Sequence, residues 1–464
     1  MSAALPRHGL IIDGAEVATA GWMDVTDPRT GAAFAQVAAA SPGDVDRAVH
    51  SARAAVAAWR ATSPVERGQA IARFARALDA EAGRIAELIH REEGKPLGEA
   101  QAEVARGCEV VHHFAGEAER LWSAFLPAGG GGRGSEVRPD GIGVVAAITP
   151  WNFPVALVIW KLAPALAAGC CVVVKPAQEA PLAARAVCEV ANQSGLAPGI
   201  VSCLTGDGPF VGEALATHPG VDKVAFTGSR RVAEIIAGWA SPRLKALSLE
   251  LGGHGPLVVI DDADLDIAVD VAISQGYANA GQACYSVNRV LVPRALEPAF
   301  LEKFRTRVVE VALGPMATDR GLVRHRDLLA DARAKGATVE GGEDLGGARV
   351  APALVTGAGP GVRLVDEEPF TPIVAVMPYA ALDDAIAEAN RPDYGLVGYV
   401  CGHDLRRATD VAHAIECGTV VINGWRVVVP YAPYAGWRGS GIGCELGRPG
   451  LEAFIRWQHV RVLA

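Results

Sequence analysis

Cysteine is scarce, aromatic residues are few, basic charge is not in excess and no apolar run is long and unbroken. Each shortage removes a class of protein. Nine cysteines among 464 residues, none spaced C-x-x-C, make neither a disulfide framework nor a zinc site. No metal site is expected, and free thiols fit a reducing, cytoplasmic compartment. The longest apolar stretch, Val155 to Val174, is broken by Lys161, Pro164 and Gly169. It reads as a buried helix running into a strand, not as a membrane span. Residues 1–17 lack the continuous apolar core of a secretion signal. With 43 basic against 52 acidic residues, a net charge of −9, there is no basic footprint for nucleic acid. Also missing are G-x-x-x-x-G-K-S/T, H-E-x-x-H and G-x-S-x-G.

What is present is length and glycine. A chain of 464 residues suggests roughly three units at about 150 residues each, and 53 glycines with only 6% aromatics suit a turn-rich α/β protein. Residues 44–121 read as helical, with Pro64 opening a long amphipathic segment that stops at Glu92-Glu93-Gly94. The glycine run from Ala128 to Gly134 has no flanking phosphate-loop signals and reads as a turn or hairpin tip. From Gly143 to Glu250 short strands alternate with helices. Strands are expected at Val144–Ile148, Cys171–Val174, Ile200–Leu204, Val221–Phe226 and Leu244–Leu249. Such alternation means βαβ units and a mostly parallel, doubly covered sheet. A second α/β layer is expected from Pro256 onward, with strands at 289–292, 373–378, 397–401 and 419–422. Two strands end in glycine turns that open helices, Gly206-Asp-Gly-Pro209 and Thr227-Gly-Ser229. Each is either a phosphate seat or a tight packing turn.

Three residues stand where chemistry is possible. Cys284 sits between a helix and a strand, either as a partly exposed nucleophile in need of a base or as an inert packed thiol. The other eight cysteines lie in apolar segments. Glu250 leaves an apolar strand into a double-glycine turn; burial would raise its pKa toward that of a useful base, and the alternative is a turn cap. Asn152 precedes a helix, as an oxyanion donor or as a cap.

Seven motifs in order then carry a resemblance: Thr149-Pro-Trp-Asn-Phe-Pro154, Lys175-Pro176, Phe226-Thr-Gly-Ser229, Glu250-Leu-Gly-Gly253, Gly281-Gln-Ala-Cys284, Glu367-Glu-Pro-Phe370 and Ser440-Gly441. Together they resemble the NAD(P)-dependent aldehyde dehydrogenase superfamily over nearly the whole chain. The resemblance implies an α/β fold of two doubly wound domains with a small β-hairpin oligomerisation element. Residues 1–121 and 143–249 would bind the dinucleotide, 250–435 would carry the thiol, and 122–142 with 436–464 would form the oligomerisation hairpin and tail. It implies Cys284 as nucleophile, Asn152 as oxyanion donor and Glu250 as the base that activates water.

For the cofactor it implies Ile148, Trp151, Lys175, Gln178, Gly208, Pro209, Gly228, Ser229, Glu368 and Phe370. Where the family often has a glutamate three residues after the lysine, this chain has Gln178, with the acid displaced to Glu179. NAD or NADP both fit, with a lean to NAD. Trp160 stands where members acting on succinic semialdehyde carry an arginine. With Phe153, Tyr285 and Tyr434 it would wall a tunnel suited to an apolar, aromatic or cationic aldehyde rather than a dicarboxylic one. A CoA-acylating semialdehyde dehydrogenase and a non-catalytic, cofactor-binding member of the fold are the alternatives. By resemblance the partner is a second copy of the chain, in a homodimer or homotetramer.

Overall fold

The computed structural model describes residues 4–127 and 134–462. Two large sheets organise it. In the first, five parallel strands lie in the order Val201–Cys203, Cys171–Lys175, Val144–Ile148, Lys223–Thr227, Ala246–Glu250. Val144–Ile148 and Cys171–Lys175 are buried along their whole length. That is why they read as continuous apolar runs instead of alternating ones. Antiparallel additions extend both edges: Leu10–Ile12 beside Val201–Cys203, and Gly441–Ile442 beside Leu249 and Glu250.

The second sheet has seven strands in the order Thr338–Gly341, Ala353–Thr356, Ile373–Tyr379, Val287–Pro293, Gly255–Val259, Val397–Cys401, Thr419–Ile422. The expected strand positions agree with these to within one or two residues. The strands between Arg7 and Ala39, two of which pair with the first sheet, were not anticipated. The tail expected over 436–464 divides between two sheets. Gly441–Ile442 joins the first, whereas Ile455–Val462 pairs antiparallel with Gly134–Gly141, which in turn pairs with Ala124–Leu126. Most of the glycine run lies outside the described residues; Gly134 opens a strand.

The helices follow from local rules. Ser63 and Glu66 cap each other at the start of Pro64–Glu92, whose Ile71, Phe74, Leu78, Ile85 and Ile89 form its buried stripe. Ala156–Ala168 is buried on every side and ends at Gly169 with φ 86°, the left-handed stop that glycine supplies. No helix among the described residues is long and apolar enough to cross a membrane.

Candidate active site

The parallel register aligns the carboxyl ends of the first sheet. Glu250 lies beside Thr227, Phe226 beside Ile148, and Ile148 beside Lys175. The chain order reverses at Val144–Ile148, with later strands added on both of its sides. A crevice outside the strand ends at such a reversal is where α/β sheets bind ligands.

The thiol arrives on a strained turn. Asn279, Ala280 and Gly281 have φ of 49°, 54° and 70°, three successive residues in the left-handed region. At Gly281 a Cβ would stand 2.3 Å from the Thr371 carbonyl, so a side chain is excluded twice over. The Gln282 side chain stitches the turn down, donating to Asn279 O at 3.0 Å and accepting from Ala317 N at 2.9 Å. Cys284 emerges half-buried, its Sγ 3.5 Å from the Tyr434 hydroxyl. Burial pushes the thiol up to about 12, with the negative charges of Glu368 and Glu250 adding to the rise and the Tyr434 hydroxyl opposing it. The Glu250–Gly253 loop presses on this turn: a Cβ on Gly253 would be 2.1 Å from the Cys284 carbonyl, and one on Gly252 would be 2.1 Å from the Glu368 carboxylate.

Glu250 is buried, and among the described residues neither of its carboxylate oxygens has a hydrogen-bond partner. Its pKa lies well above the usual carboxylate value, raised by burial and then by Glu445, with Lys161 pulling the other way. Sequence reasoning missed those two neighbours. Lys161 Nζ sits 2.6 Å from Glu445 Oε1 and donates to Thr227 Oγ1 at 2.6 Å. The available signal was a lone lysine inside the apolar helix Ala156–Ala168, which burial obliges to find a counter-charge.

Asn152 is buried, and its side-chain Nδ2 donates to Gln282 O at 2.9 Å, so the amide faces the thiol turn. Its own carbonyl accepts from Lys95 Nζ at 2.8 Å and from Asn279 Nδ2 at 3.0 Å. Lys95, Glu93 and Glu103 were also missed, because Glu92-Glu93-Gly94 reads in sequence only as a helix stop.

Most residues expected to hold a dinucleotide fall at the strand ends and nearby helix starts, whereas Glu368 and Phe370 lie in the loop between Arg363–Asp366 and Ile373–Tyr379. Lys175 donates to Pro176 O at 2.8 Å, and burial lowers it to about 8 against the pull of Glu179 and Asp207. A Cβ on Gly208 would lie 3.7 Å from that ammonium. Pro209 is exposed beside it in the first turn of Gly208–Thr217, which Asp207 caps. Gly228 lets the chain pass the Phe226 ring, where a Cβ would stand 2.4 Å away. Ser229 opens the eleven-residue helix Arg230–Ala240, and its side chain makes no cap bond. That start therefore keeps free N–H groups and a free hydroxyl suited to a pyrophosphate. Glu368 accepts from Gly253 N at 2.9 Å, and burial raises it to about 7. Trp151 meets Phe370 edge to face at 5.9 Å. Gln178 stands apart: it is exposed, has no side-chain hydrogen bond among the described residues, and it is Glu179 whose charge reaches Lys175.

Two ring pairs border the thiol, Phe153 with Tyr285 at 5.6 Å and Trp160 with Tyr434 at 5.2 Å. One smaller expectation changes: Cys444 is half-exposed just after the strand Gly441–Ile442 instead of packed in an apolar segment.

A doubly wound parallel sheet thus brings a half-buried thiol on a strained turn against a loop that carries an unpartnered buried carboxylate, the layout of an α/β protein with a thiol-centred site. Residues 16–460 match the model of the aldehyde dehydrogenase family, and the chain belongs to that family. It is 37% identical over 452 residues to a protein of Sinorhizobium fredii named as a probable succinate-semialdehyde dehydrogenase using NADP(+), covering 94% of this chain and 92% of the other. It is 34% identical over 449 residues to the 3-sulfolactaldehyde dehydrogenase of Pseudomonas putida, again 94% and 92% of the two chains. The crystal structure of an NAD-dependent aldehyde dehydrogenase from Sinorhizobium meliloti superposes with a TM-score of 0.97 at 31% identity, over 99% of this chain and 96% of that one.

Proposed function

We propose that this protein oxidises an aldehyde to the carboxylic acid with NAD or NADP, through a thiohemiacetal and then a thioester on Cys284. The observation that carries the reading is the loop Glu250–Gly253 packed on the Cys284 turn, with the buried, unpartnered Glu250 carboxylate at its head. A base removes the thiol proton and the sulfur adds to the carbonyl carbon. The resulting oxyanion accepts from Asn152 Nδ2 and the Cys284 N–H, each such donor contributing about 3–4 kcal/mol to the barrier reduction. The nicotinamide, when bound, supplies the acceptor for the hydride that leaves this carbon. Glu250 then takes a proton from water, the hydroxide adds to the thioester, the C–S bond breaks and the acid departs. The presence of Glu250 favours water over a thiol acceptor such as CoA.

Lys175, Gly208, Ser229, Glu368 and Phe370 are the residues we assign to the dinucleotide. Exposed Gln178 bonds a ribose hydroxyl without repelling a phosphate, so we infer tolerance of both coenzymes with a lean to NAD. The rings of Phe153, Trp160, Tyr285 and Tyr434 favour an apolar, aromatic or cationic aldehyde.

A second substrate reading has its own support. Arg106 is exposed, has no ion pair among the described residues, and its charge opposes the burial that raises the Tyr285 phenol. Two relatives are named for aldehydes with an anionic tail. An aromatic aldehyde, a trimethylammonio aldehyde and a four-carbon semialdehyde carboxylate, each run with both coenzymes, separate the readings. Under the second, Arg106→Ala lowers kcat/KM for the carboxylate substrate by about tenfold and leaves the others unchanged.

Exposed Phe125, Trp457 and Val460 on the three-stranded sheet, together with the open edge strand Thr419–Ile422 of the seven-stranded sheet, support a homodimer or homotetramer, and the free cysteines suit a reducing cytoplasm. Reduced nicotinamide accumulating with an aldehyde, and not with Cys284→Ala, is the expected result. Turnover by that variant at the parent rate contradicts the assignment.

A further inference from the structure

We infer that Lys95 is a positioning residue for the carbonyl-addition step, holding the Asn152 amide and the thiol turn in one frame. The inference rests on the reading of Asn152 as oxyanion donor. Lys95 is buried in the loop between Pro64–Glu92 and Leu97–Ala118. Its ammonium donates to Glu103 Oε2 at 2.5 Å and to the Asn152 carbonyl at 2.8 Å, and it pairs by charge with Glu93 Oε2 at 3.0 Å. The Phe153 ring lies 4.1 Å from the same nitrogen.

Each carboxylate then does a second job. Glu103 Oε1 accepts from Val155 N at 2.9 Å and Ala156 N at 3.2 Å, capping the helix that follows Asn152, which its own N-cap residue Val155 leaves without a side-chain cap. Glu93 Oε1 accepts from Asn279 Nδ2 at 2.6 Å, and that same nitrogen donates to Asn152 O at 3.0 Å. Glu99 Oε2 accepts from Asn279 N at 2.9 Å. Thus one buried ammonium, through two carboxylates, fixes the main chain of Asn152 and the left-handed residue that begins the turn to Cys284. The Asn152 side chain completes the loop by donating to Gln282 O. No atom of Lys95 is assigned to the substrate. Its contribution is orientation, and an ångström of slack at an oxyanion donor is enough to slow carbonyl addition without disturbing the sulfur itself.

The test is a double-mutant cycle read in single turnovers of hydride transfer, with Cys284 alkylation by iodoacetamide and cofactor binding measured alongside. Asn152→Ala alone slows hydride transfer by about 100-fold. Lys95→Met slows it by about 30-fold in the parent and by no more than about twofold in the Asn152→Ala background, because both act through the same donor. Alkylation, which forms no oxyanion, stays within about twofold in Lys95→Met, as does cofactor affinity. The isosteric Glu93→Gln, which keeps a full-length side chain in the buried site, shifts hydride transfer in the same direction by a smaller factor and is read the same way if Lys95→Met does not fold. Equal losses in both backgrounds, or alkylation falling in step with hydride transfer, overturn the inference. An Asn152→Ala enzyme at the parent rate overturns instead the reading beneath it.

Discussion

Two buried clusters, each of one lysine and two glutamates, border the Cys284 turn, and they are satisfied very differently. Around Lys95 all but one oxygen is engaged: the ammonium donates to Glu103 and to the Asn152 carbonyl and pairs with Glu93, and Glu93 and Glu103 each accept from other donors, with Glu93 Oε2 alone lacking a hydrogen bond. Around Lys161 the matching is left incomplete. Glu445 takes the ammonium, and both oxygens of Glu250 and one of Glu445 lack partners among the described residues. A satisfied buried network rigidifies its surroundings, whereas an orphaned carboxylate costs stability and acquires a displaced pKa. The contrast assigns geometry to the first cluster and proton transfer to the second.

Breaking the contrast at its reactive end has the largest effect. Glu250→Gln should slow thioester hydrolysis by about 10²–10⁴ while hydride transfer proceeds, so stopped-flow absorbance would show one burst of reduced nicotinamide and then a stall. Next in size is Lys95→Met, which strands two buried carboxylates without a counter-charge. It should cost about 3–5 kcal/mol, more than Lys161→Met, which strands one; thermal unfolding of the two variants side by side tests the order.

Smaller, but more diagnostic, is pH. Glu250 must be ionised to act, and its pKa is raised, so the hydrolysis rate climbs with pH through an inflection above the ordinary carboxylate range. Lys161→Met removes the positive neighbour that holds that pKa down, so the inflection moves to still higher pH. No change in the profile would separate Lys161 from the base. The same variant should leave iodoacetamide alkylation of Cys284 within about twofold, since the two groups act in different steps.

The parallel strands were legible because a strand buried on both faces must be apolar throughout, and the sequence marks that at Val144–Ile148 and Cys171–Lys175. Cys284, Glu250 and Asn152 were legible because each stands at the junction of an element with a glycine- or proline-marked turn. Lys161 with Glu445, and Lys95 with Asn152, were not. Their partners are 284 and 57 residues apart, and no local pattern encodes a contact made only when sheets and helices close. The Leu10–Ile12 strand was hidden for a similar reason: three residues paired antiparallel near a sheet edge leave too short a signature. Gln178 was assigned by resemblance and not by local pattern, and it stands exposed on the turn that follows Lys175.

The proposed chemistry puts a covalent acyl group on one sulfur and its hydrolysis on one carboxylate. Its most direct test is intact-protein and peptide mass spectrometry of Glu250→Gln quenched after one turnover with a competent aldehyde and NAD or NADP. One acyl equivalent, the mass of the aldehyde less two hydrogens, is expected on the peptide that carries Cys284. Reduced nicotinamide formed in stoichiometric amount with no adduct at Cys284, or an adduct on another residue, would contradict it.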